Sequence, residues 1–522
     1  MRLPRSAGVL LHPTSLPGRY GIGELGYTAH RFADFLAESG QCLWQILPLG
    51  PTGYGDSPYA CFSACAGNPF LLNLDWLASE GDLEPGELAS APRFPEDHVD
   101  FGWVYGWRNE AFPRAAARFR QNALGARRAD FDRFCYENAA WLDDYALFRA
   151  LKDAHGGAVW NTWEPALAGR QPAALAQARE RLADAVFTHC YLQYQFFRQW
   201  SDLKRHANAK GIRVVGDIPI FVAFDSADVW AHPELFYLGP DLKPTVVAGV
   251  PPDYFSKTGQ LWGNPLYRWD TMAADGYAWW IQRFRQTFRM VDIVRLDHFR
   301  GFAAYWEVPA GEDTAINGRW VKGPGARFFD ALRAALGELP IIAEDLGLIT
   351  PDVDALRKRF EFPGMKVLQF AFTTDGTHPY LPHNYEPNCI AYTGTHDNDT
   401  ALGWYHTREA KERAALHRYL GPMAEPVNWA LIRLAYESVA NVAIVPLQDV
   451  LGLGGEARLN TPGKAGGNWT WRFREDALTP ELRGRLLDLA LTYGRKEAPK
   501  PEEKAGEEPE SPYPRGYPAE AF

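Results

Sequence analysis

Three short apolar runs in this chain lead to acidic residues: VDIVRLDHF to Asp297, PIIAEDL to Glu344 and CIAYTGTHDN to Asp397. Asp217 in VVGDIPIF is a fourth acid of the same kind. In a closed (β/α)8 barrel, side chains at the C-terminal ends of different parallel strands converge over one pocket, however far apart they lie in sequence. Two facing carboxylates in such a pocket are the machinery of glycosidic bond cleavage. Arg295 stands two residues before Asp297, so the strand period of two puts both side chains on one face. A guanidinium there favours the ionised form a nucleophile needs; the same spacing also describes a structural ion pair. Glu344 can donate a proton near neutral pH only if desolvation or a neighbouring negative charge raises its pKa. Asp345, one residue on, points to the opposite face. Asp217 fits a buried hydrogen-bond anchor as well as a substrate contact, and in TGTHDND Asp399 is the stronger helix-cap candidate.

Eight apolar runs are candidates for the strands that must position these acids. They begin at Gly8 (GVLLHP), Cys42 (CLWQILPL), Arg213 (RVVGDIPIF), Asp292 (DIVRLDHF), Pro340 (PIIAEDL), Lys366 (KVLQFAF), Cys389 (CIAYTGTHD) and Asn441 (NVAIVPLQD). Near-continuous apolar strands suit a parallel sheet covered on its outside, and eight suit a closed barrel. Helical patterns fall over 27–39, 277–290 and 327–336, and Thr350-Pro351 reads as an N-cap followed by proline at the first helical position. The span from about 51 to 200 is too long for one crossover and contains helical stretches at 141–152 and 174–200. It reads as an inserted subdomain beside a barrel that extends from residue 1 to 497. Residues 498–522 are rich in Pro, Glu and Gly, without periodicity, and read as a disordered tail.

The 522 residues carry a net charge of −10, which argues against a nucleic-acid partner because phosphate binding needs a concentrated basic surface. Six scattered cysteines suit a reducing compartment, and Cys61 with Cys65 does not make a metal site. The N-terminal apolar stretch is too short for a signal-peptide core, and no run is long enough to span a bilayer. The expectation is a soluble, cytoplasmic protein acting on a neutral substrate. Its 19 tryptophans can serve a core or a sugar-stacking groove. The segment 246–269 combines turn-forming Gly and Pro with Tyr254, Phe255, Trp262 and Tyr267, as expected of a loop that stacks on sugar and shields a reactive intermediate. GIGELG (Gly21–Gly26) formally matches a dinucleotide fingerprint, but the acidic residue expected about 20 positions on is missing.

Together LLHPTSLPG, LPLGPTGYGDSPY, VRLDHFRGFAAYWEVP, AEDLG, MKVLQFAF, YTGTHDNDT, NTPG and GNWTWR make the chain resemble the amylomaltases, the 4-α-glucanotransferases of glycoside hydrolase family 77, to about Phe473. TTDG (Thr373–Gly376) departs from the acid-rich form of bacterial members. The resemblance implies that Asp297 is the nucleophile, Glu344 the general acid/base and Asp397 the carboxylate holding the distorted donor sugar. It further implies that Arg295, His396 and Asp217 line the donor subsite and that Tyr59 stacks on sugar there. By the same resemblance Phe255 and Trp262 belong to the loop over the cleft, and Tyr54 marks a second glucan-binding surface. The implied reaction is transfer of α-1,4-glucan segments among malto-oligosaccharides, amylose or glycogen-derived glucans, with no metal or organic cofactor. The alternatives are an α-1,4-glucan hydrolase with the same acids and a non-catalytic glucan-binding barrel.

Overall fold

The computed structural model describes residues 2–252, 256–347, 349–372 and 376–497. Phe255, residues 373–375 and the stretch 498–522 therefore lie outside the described residues. Twelve strands follow in chain order among them: β1 (Ser6–Leu10), β2 (Leu43–Gln45), β3 (Arg213–Pro219), β4 (Val246–Val250), β5 (Gln260–Pro265), β6 (Ile293–Asp297), β7 (Ala304–Pro309), β8 (Arg319–Lys322), β9 (Ile341–Ala343), β10 (Gly364–Val367), β11 (Cys389–Tyr392) and β12 (Val442–Pro446). Eight of them form one parallel sheet in the order β10-β11-β12-β1-β2-β3-β6-β9. A hydrogen bond of 2.9 Å from Ala343 N–H to the Pro363 carbonyl, just before β10, joins its two edges. The result is the expected (β/α)8 barrel.

All eight predicted runs contribute a barrel strand. KVLQFAF does so only at its start, because β10 ends at Val367 and Leu368–Phe370 turns into a 3-10 helix. The strands read as apolar runs because both their faces are covered. Leu10, Leu43, Val215, Ile293, Ile342 and Val367 cluster inside the barrel, whereas Val9, Trp44, Val214, Val294 and Ile341 pack outward with the helices. The helix Tyr27–Glu38 shows how: it buries Ala29, Phe32, Ala33 and Leu36, the 3–4 spacing of one helix face, and Phe32 meets Trp44 edge-on at 5.0 Å. Inward parity is set by these apolar residues, and it carries Asp217, Arg295, Asp297 and Glu344 inward at the barrel mouth.

The helices Ala278–Met290, Ala326–Leu336 and Pro351–Arg359 lie where the patterns place them. Thr350 occupies the N-cap position, but its side chain makes no capping bond. Between β2 and β3 the chain builds long helices at Phe101–Asn122, Gly125–Ala154 and Ala183–Ala209. The pattern over 174–200 predicts one helix; the structure has two, Pro172–Arg181 and Ala183–Ala209, broken at Leu182 without a glycine or proline. The segment 246–269 is less loop-like than expected. Its ends are β4 and β5, which join β7 and β8 in an antiparallel sheet of order β5-β4-β7-β8. GIGELG is occupied by the protein's own contacts, since Glu24 is buried and pairs with Arg108 at 2.6 Å. All six cysteines are free thiols. Among the described residues no helix is long and apolar enough to cross a membrane.

Far from the acids, at the N-terminal end of the barrel, Arg495 is 1% exposed. Its guanidinium donates to the carbonyls of Ser6, Ala435, Tyr436, Ser438, Ala440 and Asn441, tying the last helix to β1 and to the end of helix Val427–Glu437. Arg5 also donates to the carbonyls of Tyr436, Ser438 and Ala440, so Arg495→Ala weakens this knot without emptying it and is expected to cost about 3 kcal/mol of stability, since bonds to a charged donor are each worth about 1.5–3 kcal/mol. Chemical denaturation checks this: the unfolding midpoint falls while activity below the transition is retained, because this end of a barrel carries stability and not catalysis.

Candidate active site

Asp297 is the last residue of β6, and Glu344 directly follows β9, the neighbouring strand. The β6–β9 register pairs Leu296 with Ala343, so Asp297 and Glu344 lie side by side at the mouth. On the other flank of β6, Asp217 of β3 pairs with Arg295. Arg295 Nη1 bridges both neighbours, at 2.6 Å from Asp217 Oδ2 and 2.8 Å from Asp297 Oδ1. Although burial alone would lower its pKa, the charges of Asp217 and Asp297 hold Arg295 well above the ordinary arginine value. Burial pushes Asp217 upward against the opposing charge of Arg295.

Glu344 accepts two backbone hydrogen bonds of 2.8 Å, from His298 N–H and from Leu346 N–H. The His298 bond is made from a left-handed backbone, φ 51°, a conformation that costs a non-glycine residue of order 1 kcal/mol or more and recurs at functional sites. Burial, reinforced by the charge of Asp297 and opposed by that of Arg295, raises the Glu344 pKa to about 7. Asp345 does face away: its carboxylate accepts from Met365 N–H at 2.7 Å and pairs with Arg357 at 3.4 Å. A β-carbon on Gly364 would lie 2.2 Å from it, so the close approach requires glycine there.

Asp397 reaches the site by a different route, from the loop beyond the end of β11 at Tyr392. Oδ1 accepts from Asn460 Nδ2 at 2.6 Å, Oδ2 lies 3.3 Å from His396 Nε2, and the Asp397 carbonyl accepts from Arg458 Nη2 at 2.6 Å. Desolvation would raise Asp397, but the charge and hydrogen bond of His396 and the Asn460 amide hold it well below the usual carboxylate range. The buried His396 is correspondingly raised by Asp397, against its own desolvation. The cap expected at Asp399 is supplied by Thr400, whose hydroxyl accepts from Gly403 N–H at 3.0 Å, while Asp399 binds Thr400 N–H.

Aromatic rings complete the walls. Tyr59 donates its hydroxyl to Asp217 at 2.8 Å and stacks on His396, with ring centroids 5.1 Å apart and planes 18° from parallel. Trp469 lies against both rings at 6.0 Å. Trp262, on β5, meets His298 edge-on at 4.8 Å. The structure thus brings together Asp297, Glu344, Asp397, Asp217, Arg295, His396, Tyr59 and Trp262. Tyr54 stands apart, 84% exposed on the surface. His298, Arg458, Asn460 and Trp469 escape the residue-by-residue reading; HF, NTPG and GNWTWR carry three of them, but nothing in the spacing ties these to Asp397 or Glu344.

Asp217 Oδ1, Arg295 Nε, His298 Nε2 and His396 Nδ1 are buried without a hydrogen-bonding partner among the described residues. Buried polar atoms are normally satisfied, so donors and acceptors concentrated at one mouth suit a hydroxyl-rich ligand. Among the described residues no group of three or more His, Cys, Asp or Glu could hold a metal ion. Chemically, the arrangement offers a carboxylate beside a guanidinium, a protonatable carboxyl next to it, and a third carboxylate fixed by the His396 ring and an amide.

A family model described as 4-alpha-glucanotransferase, that of glycoside hydrolase family 77, matches residues 11–479. A 4-alpha-glucanotransferase of Synechocystis sp. is 53% identical over 496 residues, covering 94% of this chain and 98% of that one. One of Thermus thermophilus is 53% identical over 498 residues, covering 94% and 99%. The solved amylomaltase from Streptococcus agalactiae in complex with acarbose superposes with a TM-score of 0.92 at 39% identity, covering 94% of this chain and all of that one. With strand order, paired carboxylates and whole-length similarity in agreement, the chain belongs to the 4-alpha-glucanotransferase family, glycoside hydrolase family 77.

Proposed function

We propose that this protein transfers α-1,4-glucan segments between malto-oligosaccharides, or within amylose, by a retaining double displacement. The observation that carries the reading is the adjacency of Asp297 and Glu344 on neighbouring strand ends, the first bonded to Arg295 and the second raised to about 7 by burial. Asp297 attacks the anomeric carbon while Glu344 protonates the departing O4, giving a covalent glycosyl-enzyme. Glu344 then takes the proton from the 4-hydroxyl of an incoming glucan, whose attack releases Asp297. Two inversions preserve the α configuration. Asp397 and His396 hold the donor sugar's hydroxyls, and Tyr59 packs against that sugar. Arg295 holds the nucleophile in place.

Water competes with the acceptor for the glycosyl-enzyme, so the acids alone do not divide transfer from hydrolysis. The β4–β5 hairpin supports transfer. It brings Trp262 onto His298, immediately beside the nucleophile, where an apolar wall disfavours water and offers a surface for an acceptor ring. Tyr54, exposed on the surface, is proposed as part of a separate glucan-binding surface.

Incubating the purified protein with maltotriose tests the reading. Glucose, maltopentaose and longer chains are expected at a constant number of reducing ends; rising reducing ends identify a hydrolase, and an unchanged substrate identifies a non-catalytic binder.

The state of Glu344 predicts a pH profile. The acid must be protonated to begin the reaction, so kcat/KM for the donor is expected to hold below about 7 and fall as pH rises through it. Glu344→Gln removes this limb and lowers the rate on the order of 10²–10⁴-fold, the usual contribution of a general acid. A profile flat to pH 9 contradicts the assignment.

A further inference from the structure

Outside the residues assigned above, Asp449 is a fully buried carboxylate in the short helix Leu447–Leu451 that follows β12. Its Oδ2 accepts from the Thr393 hydroxyl at 2.5 Å, and its Oδ1 accepts from Ala401 N–H at 2.7 Å. Thr393 is the first residue after β11, and Ala401 opens the helix Ala401–Thr407. The two anchors therefore bracket the loop that carries His396 and Asp397. The helix bearing the carboxylate is itself fixed, since Asn428 Nδ2 donates to the Asp449 carbonyl at 2.8 Å.

We propose that Asp449 is a positioning residue for glucan transfer: by holding both ends of the 393–401 segment it fixes His396 and Asp397 against the donor sugar. The inference rests on the donor-site reading of those two residues. Bonds within the segment do not by themselves set its place on the barrel. Thr395 N–H and hydroxyl both bond Asn398 Oδ1 at 2.9 Å, which shapes the turn, and Gln369 Nε2 and Arg458 Nη2 each reach a single carbonyl, those of Asp399 and Asp397. Asp449 alone among these contacts reaches both ends at once. Burying a carboxylate bound by neutral donors is costly, and burial raises its pKa to about 6. An apolar residue would fill the same space at lower cost but would leave Ala401 N–H without its acceptor. Asparagine retains the geometry, accepting from Ala401 and donating to the Thr393 oxygen.

The test measures initial rates with maltotriose as donor and isotopically labelled glucose as acceptor, read as label entering maltotriose, at a temperature where each variant is folded by circular dichroism, alongside hydrogen exchange of peptides spanning 393–401. Asp449→Ala is expected to lose about 10–100-fold in donor kcat/KM, the scale of an ångström of misplacement, with the acceptor KM within about twofold and faster exchange in the segment. Asp449→Asn is expected to stay within about threefold of the parent enzyme on the same argument. Unchanged donor kinetics in folded Asp449→Ala, or Asp449→Asn falling as far as alanine, overturns the proposal. If the alanine variant does not fold, Thr393→Val removes one anchor and leaves the carboxylate in place; it must show the same donor-selective loss, and parental kinetics there overturn the proposal equally. Failure of the function reading is separable, because it appears as absence of transfer in the unsubstituted protein.

Discussion

The contact on which the site depends is the Arg295 guanidinium seated between Asp217 and Asp297 inside the barrel mouth. Three acids, Asp217, Asp297 and Glu344, crowd onto adjacent strand ends, and like charges at such separations cannot all ionise without a cation among them. Arg295 supplies one buried positive charge and thereby divides the acids into types. Asp217 and Asp297 are bonded to it, although burial still pushes Asp217 upward, and Glu344, bound by two backbone N–H groups and not by the guanidinium, is pushed up to about 7 by burial. The arrangement needs no precision beyond strand register. Asp217 pairs with Arg295 across β3–β6, and Arg295 and Asp297 share a face on β6.

The rest of the molecule delivers elements that barrel register cannot. Asp397 comes from a loop and is held by Asn460, from a segment distant in sequence; Tyr59 comes from the chain after β2; Trp262 comes from the antiparallel sheet inserted between barrel strands. These loops lie on one end of the barrel, with the strained His298 backbone and the unpartnered polar atoms of Asp217, Arg295, His298 and His396. Stability is placed at the other end, in contacts such as those of Arg495. The division lets the functional end carry strain and desolvated charge that a small, uniform core could not offset.

What was legible in the sequence follows from the same division. Each barrel strand is buried on both faces, so all eight announce themselves as apolar runs, and two of the catalytic candidates, Asp297 and Glu344, stand where such runs stop. Period two then predicts that Arg295 shares a face with Asp297 and that Asp345 does not share one with Glu344. Asp397 is found by the same rule only loosely, because its strand ends at Tyr392 and the loop conformation decides where the carboxylate goes. Asn460, Arg458 and Trp469 were not legible as partners, since their contacts are long-range and no spacing encodes them. The helix break at Leu182 and the early end of β10 are likewise tertiary outcomes, with no glycine or proline to mark the first. The segment 246–269 showed its aromatics but not its strands, because β5 is largely exposed and lacks the burial pattern that identifies a strand.

The most direct test of the account is whether the glycosyl-enzyme forms on Asp297. Incubation with a fluorinated α-glucosyl fluoride, whose electron-poor sugar slows both displacements while the fluoride leaving group keeps the first fast, should leave one covalent glycosyl adduct per chain by intact mass. Peptide mapping is predicted to locate the adduct on Asp297. An adduct on Glu344, Asp397 or Asp217, or inversion of the anomeric centre without any adduct, would contradict the assignment of roles derived from the Arg295 pairing.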